Sequence, residues 1–467
     1  MNSRRNFLRA ALALGAGAAA TAQAFGQQHQ REDSKAQPWG TPPSRRAAGV
    51  PLPVETPDVP QLEWKLENGV KVFHLVAEVV KREIYPGKVV DLWGYNGSVP
   101  GPTIQVTEGD RVRLVVENRL PEPTSMHWHG FEIPVEMDGM PGISQPLIHP
   151  GETFVYEFTL RQAGTFFYHS HMSMQEMMGM IGLFIMHPKE AWRPRVDRDF
   201  GFVLQEFAIL PNATVPNSLS MEFNWLTMNG KAAPATTPIL VKRGERVRLR
   251  FVNLGMDHHP IHVHGHTFVV TGSEAGRQPE SLWGPKNTTL VGVAEATDVE
   301  FVADNPGDWM VHCHLPHHMM NQMASMTGPL WTFNGMAAGL SMEDGMGLLR
   351  QGHATSESFG PSLGRGMGFG SDHERATTDL PLQQAHAHHG GGLWKVAPGA
   401  NQVPGFPQDH FPVLDELVAK PETYGLAKGW SGAMMGMMTL LRVLEPEMYD
   451  KIQALKREPA REEHKHG

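Results

Sequence analysis

Two stretches of this chain are copies of one another, and that limits the fold more than any other feature. Residues 104–114 (IQVTEGDRVRL) are matched by residues 239–249 (ILVKRGERVRL), an offset of 239 − 104 = 135. The same offset carries His127-Trp128-His129-Gly130 onto His262-Val263-His264-Gly265. Residues 164–171 (GTFFYHSH) then match 307–314 (GDWMVHCH) at an offset of 307 − 164 = 143, which allows one short loop insertion. A repeat of this size means two copies of one domain. Each copy alternates apolar and polar residues in short runs divided by Gly and Pro, the pattern of a β-sandwich or barrel. Helical periodicity is weak through residues 60–335. The first domain is placed at 61–190 and the second at 197–335.

The duplicated segments hold four His-x-His pairs: His127 and His129, His169 and His171, His262 and His264, His312 and His314. Residues i and i+2 of a strand point to the same face, so each pair offers two imidazoles to one side. In the last pair Cys313 lies between the two His and faces the other way. One metal site can therefore sit on the His side and a second on the Cys side, a few covalent bonds apart. His259 precedes His262 by three residues, His318 follows Cys313 by five, and Met323 follows His318 by five. Two imidazoles, a thiolate and a weak thioether form the ligand set of a blue-copper electron-transfer centre. A lone His or Met is usually a packed or solvated side chain. Eight His in four spaced pairs, with the chain's single Cys inside one of them, do not arise that way.

Composition narrows the chemistry further. Among 467 residues there are 25 His, 27 Met and one Cys, and the net charge is −9. A single Cys excludes an intrachain disulfide, iron–sulfur clusters and Cys-rich zinc sites. The mild negative charge argues against nucleic acid as a partner. Imidazole and thioether in excess point to transition metals.

The four motifs resemble the copper-binding motifs of multicopper oxidases. The resemblance covers roughly residues 61–335 and implies two tandem cupredoxin-like Greek-key domains, an all-β fold. It implies that His259, Cys313, His318 and Met323 hold a type 1 copper. His127 and His262 would hold type 2, and His129, His169, His171, His264, His312 and His314 the type 3 pair. Only 259 − 171 = 88 positions separate the second motif from the third. That leaves no room for an intervening domain, so the chain looks like the two-domain oxidases, the small laccases. Mapping the type 1 set back onto the first domain gives Thr124, Ser170, Gln175 and Met180. Only the Met survives, so electrons are expected to enter through the second domain. Two-domain relatives build the trinuclear cluster between neighbouring chains, which implies a homotrimer.

The implied reaction is one-electron oxidation of a donor at type 1 copper, coupled to reduction of dioxygen to water. Electrons would pass along Cys313 to His312 and His314. Asp138, in Met137-Asp138-Gly139, matches a position near the cluster in such enzymes and is a candidate proton relay; a turn Asp before Gly is the bland reading. Met172, Met174, Met177, Met178 and Met180, then Met319, Met320, Met323 and Met326, then Met434, Met435, Met437 and Met438 suggest a docking route for Cu(I), or else flexible core filling. Phenols or other organic donors are the competing substrates. A nitrite reductase-like enzyme is disfavoured because Ser170 stands where its first domain would need Cys. A copper-sequestering protein would not need the type 3 pair.

The remaining segments are expected to lie outside the two domains. Residues 1–26 carry Arg4-Arg5 before an apolar run, a twin-arginine signal pattern that predicts export to the periplasm or beyond. Residues 27–60 read as a linker. Residues 336–400 read as a Gly/Met/His-rich low-complexity segment containing His386, His388 and His389. Residues 401–467 read as a partly helical extension, with helices expected at 413–420 and 433–456, the second interrupted at Pro446. If this tail only recruits copper or partners, removing residues 340–467 should spare turnover of small organic donors. No segment is long and apolar enough for a stable membrane span.

Overall fold

A computed structural model describes residues 51–209, 213–221, 223–319 and 414–457. The described strands form four sheets, and the chain is all-β with few helices, as the alternating pattern predicts. The 1–26 signal pattern, the first part of the linker, the 336–400 tract and Met320, Met323 and Met326 lie outside the described residues. No helix among the described residues is long and apolar enough to cross a membrane.

The first copy is a pair of facing sheets. One holds Lys65–Glu67, Val70–Tyr85, Lys88–Tyr95, Arg111–Asn118 and Thr153–Thr159; the other orders Gly101–Thr107, Ile181–His187, Gly164–Ser170 and Met126–His129. Leu75, Val112, Leu114 and Tyr156 from the first sheet meet Ile104, Trp128, Phe166 and Phe184 from the second in one buried core. The second copy repeats this. Its seven-stranded sheet contains Arg198–Phe207, Arg246–Asn253 and Glu295–Val302. Its five-stranded sheet orders Ile239–Lys242, Met438–Leu444, Gly307–Cys313, His259–Val263 and Thr288–Val291.

The Met438–Leu444 strand departs from the sequence expectation. The apolar run over 433–444 suits a buried helix or a buried strand equally, and here it contains a strand with every residue buried. That strand fills the gap between Ile239–Lys242 and Gly307–Cys313, pairing parallel to the former and antiparallel to the latter. The helix begins only at Pro446 and runs to Arg457. Proline has no N–H to lose in the first helical turn and its φ suits that position, so it starts this helix rather than interrupting one. The expected helix at 413–420 is a short 3-10 turn, Asp415–Val418.

The two sheet pairs share a core of their own. Phe167, Ile181, Leu183 and Ile185 of the first pack against Val203, Val252 and Leu254 of the second. A buried ion network of the second copy reaches this seam, where the Thr165 hydroxyl of the first copy joins it. Arg250 meets Asp199 at 2.7 Å and Asp298 at 3.2 Å. It donates to Thr165 Oγ1 at 2.6 Å, and that hydroxyl donates to Asp298 at 2.6 Å. Burying such charges is favourable only when every one is paired, as here.

Candidate functional site

The strand positions deliver the His side chains as the i, i+2 spacing requires. Met126–His129 pairs with Gly164–Ser170, setting His127 opposite His169. His259–Val263 pairs with Gly307–Cys313, setting His262 opposite His312. The first quartet is closed by ring contacts of His127 with His129, His169 and His171 at 5.2–5.6 Å between centroids. The second is closed by His262 with His264, His312 and His314 at 4.7–5.7 Å. Among the described residues no ring contact joins one quartet to the other.

Backbone carbonyls fix the tautomers. A carbonyl only accepts, so the ring nitrogen facing it carries the proton and the opposite nitrogen keeps its lone pair. His127 Nδ1 donates to Asp138 O at 2.7 Å and His262 Nδ1 to Asn287 O at 2.7 Å. His169 Nδ1 donates to Ser170 O at 2.7 Å and His312 Nδ1 to Cys313 O at 2.8 Å. These are the same two arrangements in both copies, and each frees an Nε2 as a metal ligand. His264 Nε2 then lies 2.9 Å from His312 Nε2, and His129 Nδ1 lies 3.3 Å from His169 Nε2. One proton or one metal ion fits between nitrogens so placed. Burial lowers the pKa of His129 and of His312 to about 4, so both rings are neutral and ligand-ready at neutral pH.

On the other face of the Gly307–Cys313 strand, Cys313 Sγ is fully buried. It lies 3.3 Å from His318 Nδ1 and 3.8 Å from His259 Nδ1, and the two nitrogens are 3.1 Å apart. Three soft or borderline donors converging in a dry pocket fit a copper ion. The outer nitrogens support that reading. His259 Nε2 bonds Glu206 Oε2 at 3.1 Å, and His318 Nε2 is 3.5 Å from Asp257 Oδ2. With its proton on Nε2, His259 aims a lone pair at the thiol. Burial depresses His318 to about 3 and pushes the metal-free Cys313 thiol up to about 12. A thiol so placed ionises only with a cation beside it.

In the first copy the positions equivalent to these ligands also come together, without ligand chemistry. Thr124 and Ser170 hydroxyls both donate to Gln175 Oε1 at 2.8 Å, and Gln175 Nε2 donates to Pro123 O at 2.9 Å. Hydrogen bonds hold this pocket where a metal would hold the other.

Asp138 is placed beside the first quartet, its carboxylate 3.4 Å from His127 Nδ1. Sequence reasoning missed Glu206, Asp257 and Glu176, the last 3.3 Å from His169 Nδ1. Glu206 had a signal: it is an acid inside the apolar run 202–209, and a buried charge in a central strand needs a partner. The methionine runs are mostly core. Met177, Met178, Met180, Met434, Met435, Met437 and Met438 are all buried, while Met174 is exposed.

Two multicopper oxidase family models match the chain, at residues 78–191 and 209–327. The chain is 44% identical over 112 residues to copper resistance protein A of Escherichia coli, covering 24% of this chain and 18% of that protein. It is 33% identical over 252 residues to laccase-2 of Botryotinia fuckeliana, covering 47% of this chain and 42% of that one. The match spans about a fifth of the first of these curated relatives and about two fifths of the second. Among solved structures, the blue copper oxidase of Nitrosomonas europaea is 32% identical with a TM-score of 0.50, covering 54% of this chain and 81% of that chain.

Proposed function

The chain belongs to the multicopper oxidase family, and from that premise we propose that it oxidises a donor one electron at a time at the Cys313 centre and reduces dioxygen to water at the His-x-His clusters. Copper bound at these centres would supply the one-electron couple and the dioxygen chemistry. The observation that carries the reading is the convergence of Cys313 Sγ with two Nδ1 atoms, on a residue flanked in sequence by His312 and His314. Cys313, His259 and His318 would hold the first ion. The backbone on either side of Cys313 is the shortest covalent link the chain can offer to the second centre. His127, His169, His262 and His312 are oriented by carbonyls, and Asp138 and Glu176 are the carboxylates placed to hold protons near the first quartet.

Each quartet is closed within its own domain, which supports a homotrimer whose clusters are shared between neighbouring chains. Sedimentation of copper-loaded protein should give three chains per particle. A monomer with full trinuclear copper and activity at high dilution defeats that part. The twin-arginine pattern at Arg4 and Arg5 supports export.

Organic donors and Cu(I) remain the two substrate readings. The relatives named copper resistance protein A favour copper; the burial of seven methionines removes most of the proposed docking route. Oxygen uptake by copper-loaded protein with a phenolic donor, and separately with Cu(I), decides between them. Uptake with neither would favour a copper-sequestering role. Cys313→Ser should abolish the intense blue absorption and turnover while leaving the fold intact; persistence of the blue band sinks the assignment.

A further inference from the structure

The spacing of the second-copy motif points to Met323 as the fourth ligand of the Cys313 centre, but the backbone points elsewhere. The first copy supplies the template. There Ser170 N–H donates to Met180 O at 3.2 Å, and Met180 N–H donates to Gln175 O at 3.3 Å. In the second copy Cys313 N–H donates to Met437 O at 3.0 Å, and Met437 N–H donates to His318 O at 3.1 Å. Ser170 and Gln175 are the counterparts of Cys313 and His318, so Met437 is the counterpart of Met180.

Strand register agrees. His169 is paired with Ile181, and His312 with Met438. Ile104 is paired with Phe184, and Ile239 with Leu441, so one offset, 437 − 180 = 257, fits both neighbours of the strand. The sequence carries the same signature once it is sought there. Met177-Met178-Gly179-Met180 is repeated as Met434-Met435-Gly436-Met437. Both glycines have positive φ, +114° and +67°. A Cβ at Gly436 would overlap the carbonyl oxygen of His318, so only glycine lets the returning chain lie against the ligand's backbone. Met437 is fully buried in the core that contains Cys313.

We infer that Met437, not Met323, would be the fourth ligand of the type 1 centre, so that in sequence order a long insertion separates it from His318. The inference rests on the type 1 reading of Cys313. The separation is 437 − 318 = 119 positions where the first copy uses 180 − 175 = 5. The site is therefore completed by a segment far downstream of its other ligands, and Met437 joins them only when Met438–Leu444 has paired with Gly307–Cys313.

The test compares Met437→Leu, Met437→Gln and Met323→Leu in the copper-loaded full chain, by redox titration of the blue band and by electron paramagnetic resonance. Met-to-Leu is close to volume-conserving and is well tolerated in cores, and the Gln variant gives a second, polar replacement. Removing a weak thioether destabilises Cu(II), so Met437→Leu should stay blue and favour Cu(I) by about tenfold, or about 59 mV for a one-electron couple. A stronger oxygen donor should make Met437→Gln shift the other way and change the copper hyperfine splitting. Met323→Leu should leave both unchanged. A shift in Met323→Leu, or no shift in either Met437 variant, overturns the inference while the type 1 reading stands. That reading fails separately if Cys313→Ser keeps the blue band.

Discussion

At the residue scale, one carboxylate hydrogen-bonds an imidazole of the proposed Cys313 centre from behind, Glu206 on His259, while Asp257 lies 3.5 Å from His318. Glu206 is 2% exposed. Besides His259 it accepts from the backbone N–H groups of Met256 and Asp257. A buried negative charge this close to a ligand favours the more positive metal state. Glu206→Gln keeps an acceptor for His259 and removes the charge. The blue band should remain and the potential should rise, with the Cu(II)/Cu(I) equilibrium shifting by about tenfold, roughly 1.4 kcal/mol. An unchanged potential in a protein that still binds copper would show that the charge does not act on the site. The imidazoles make a second prediction, for metal-free protein. His129 and His312 titrate near 4 and His318 near 3 in the folded chain, against an ordinary 6.5. Between those values the unfolded chain binds more protons, so folding stability falls as pH drops from 6.5 toward 4. The urea midpoint of metal-free protein should decrease across that window, and a flat profile would contradict it.

At the scale of elements, the second copy is completed by a strand remote in sequence. Leu441 is fully buried on Met438–Leu444, whereas Leu417 is 51% exposed on the Asp415–Val418 turn. Leu441→Ala should cost about 2–5 kcal/mol and Leu417→Ala under ~0.5 kcal/mol, read from urea unfolding. Equal small costs would mean that the strand is not part of the folded sheet. The sequence expectation that residues 340–467 are dispensable for turnover of small donors conflicts with this strand, since removing it strips the Gly307–Cys313 edge of its partner. What could be read in advance was whatever repeats locally. The His-x-His pairs are legible because a strand turns i, i+2 spacing into one face, and because each pair has a copy 135 or 143 positions away. Met438–Leu444 was not legible because a short apolar run does not separate strand from helix, and its partner strands lie more than a hundred positions upstream. Glu206 was overlooked because its meaning comes from a ring 53 positions further on. The methionine runs looked like a route for a soft cation, yet most of them fill cores, where a flexible thioether packs well.

At the scale of the whole molecule, the duplication and the departure from it together support the proposed division of labour. Both copies orient their histidines by the same carbonyl contacts, yet only one keeps a thiol and two Nδ1 atoms in the opposing pocket. The other fills that pocket with Thr124, Ser170 and Gln175, joined by hydrogen bonds. The proposed function therefore places one electron-entry site in each chain and has the histidine quartets act together. The most direct test is the stoichiometry of donor oxidised to dioxygen consumed by copper-loaded protein, measured with an oxygen electrode and a peroxide assay. Four one-electron donor equivalents per dioxygen, with no peroxide released, is the predicted result. Two equivalents with accumulating peroxide, or no dioxygen uptake by fully loaded protein, would contradict it.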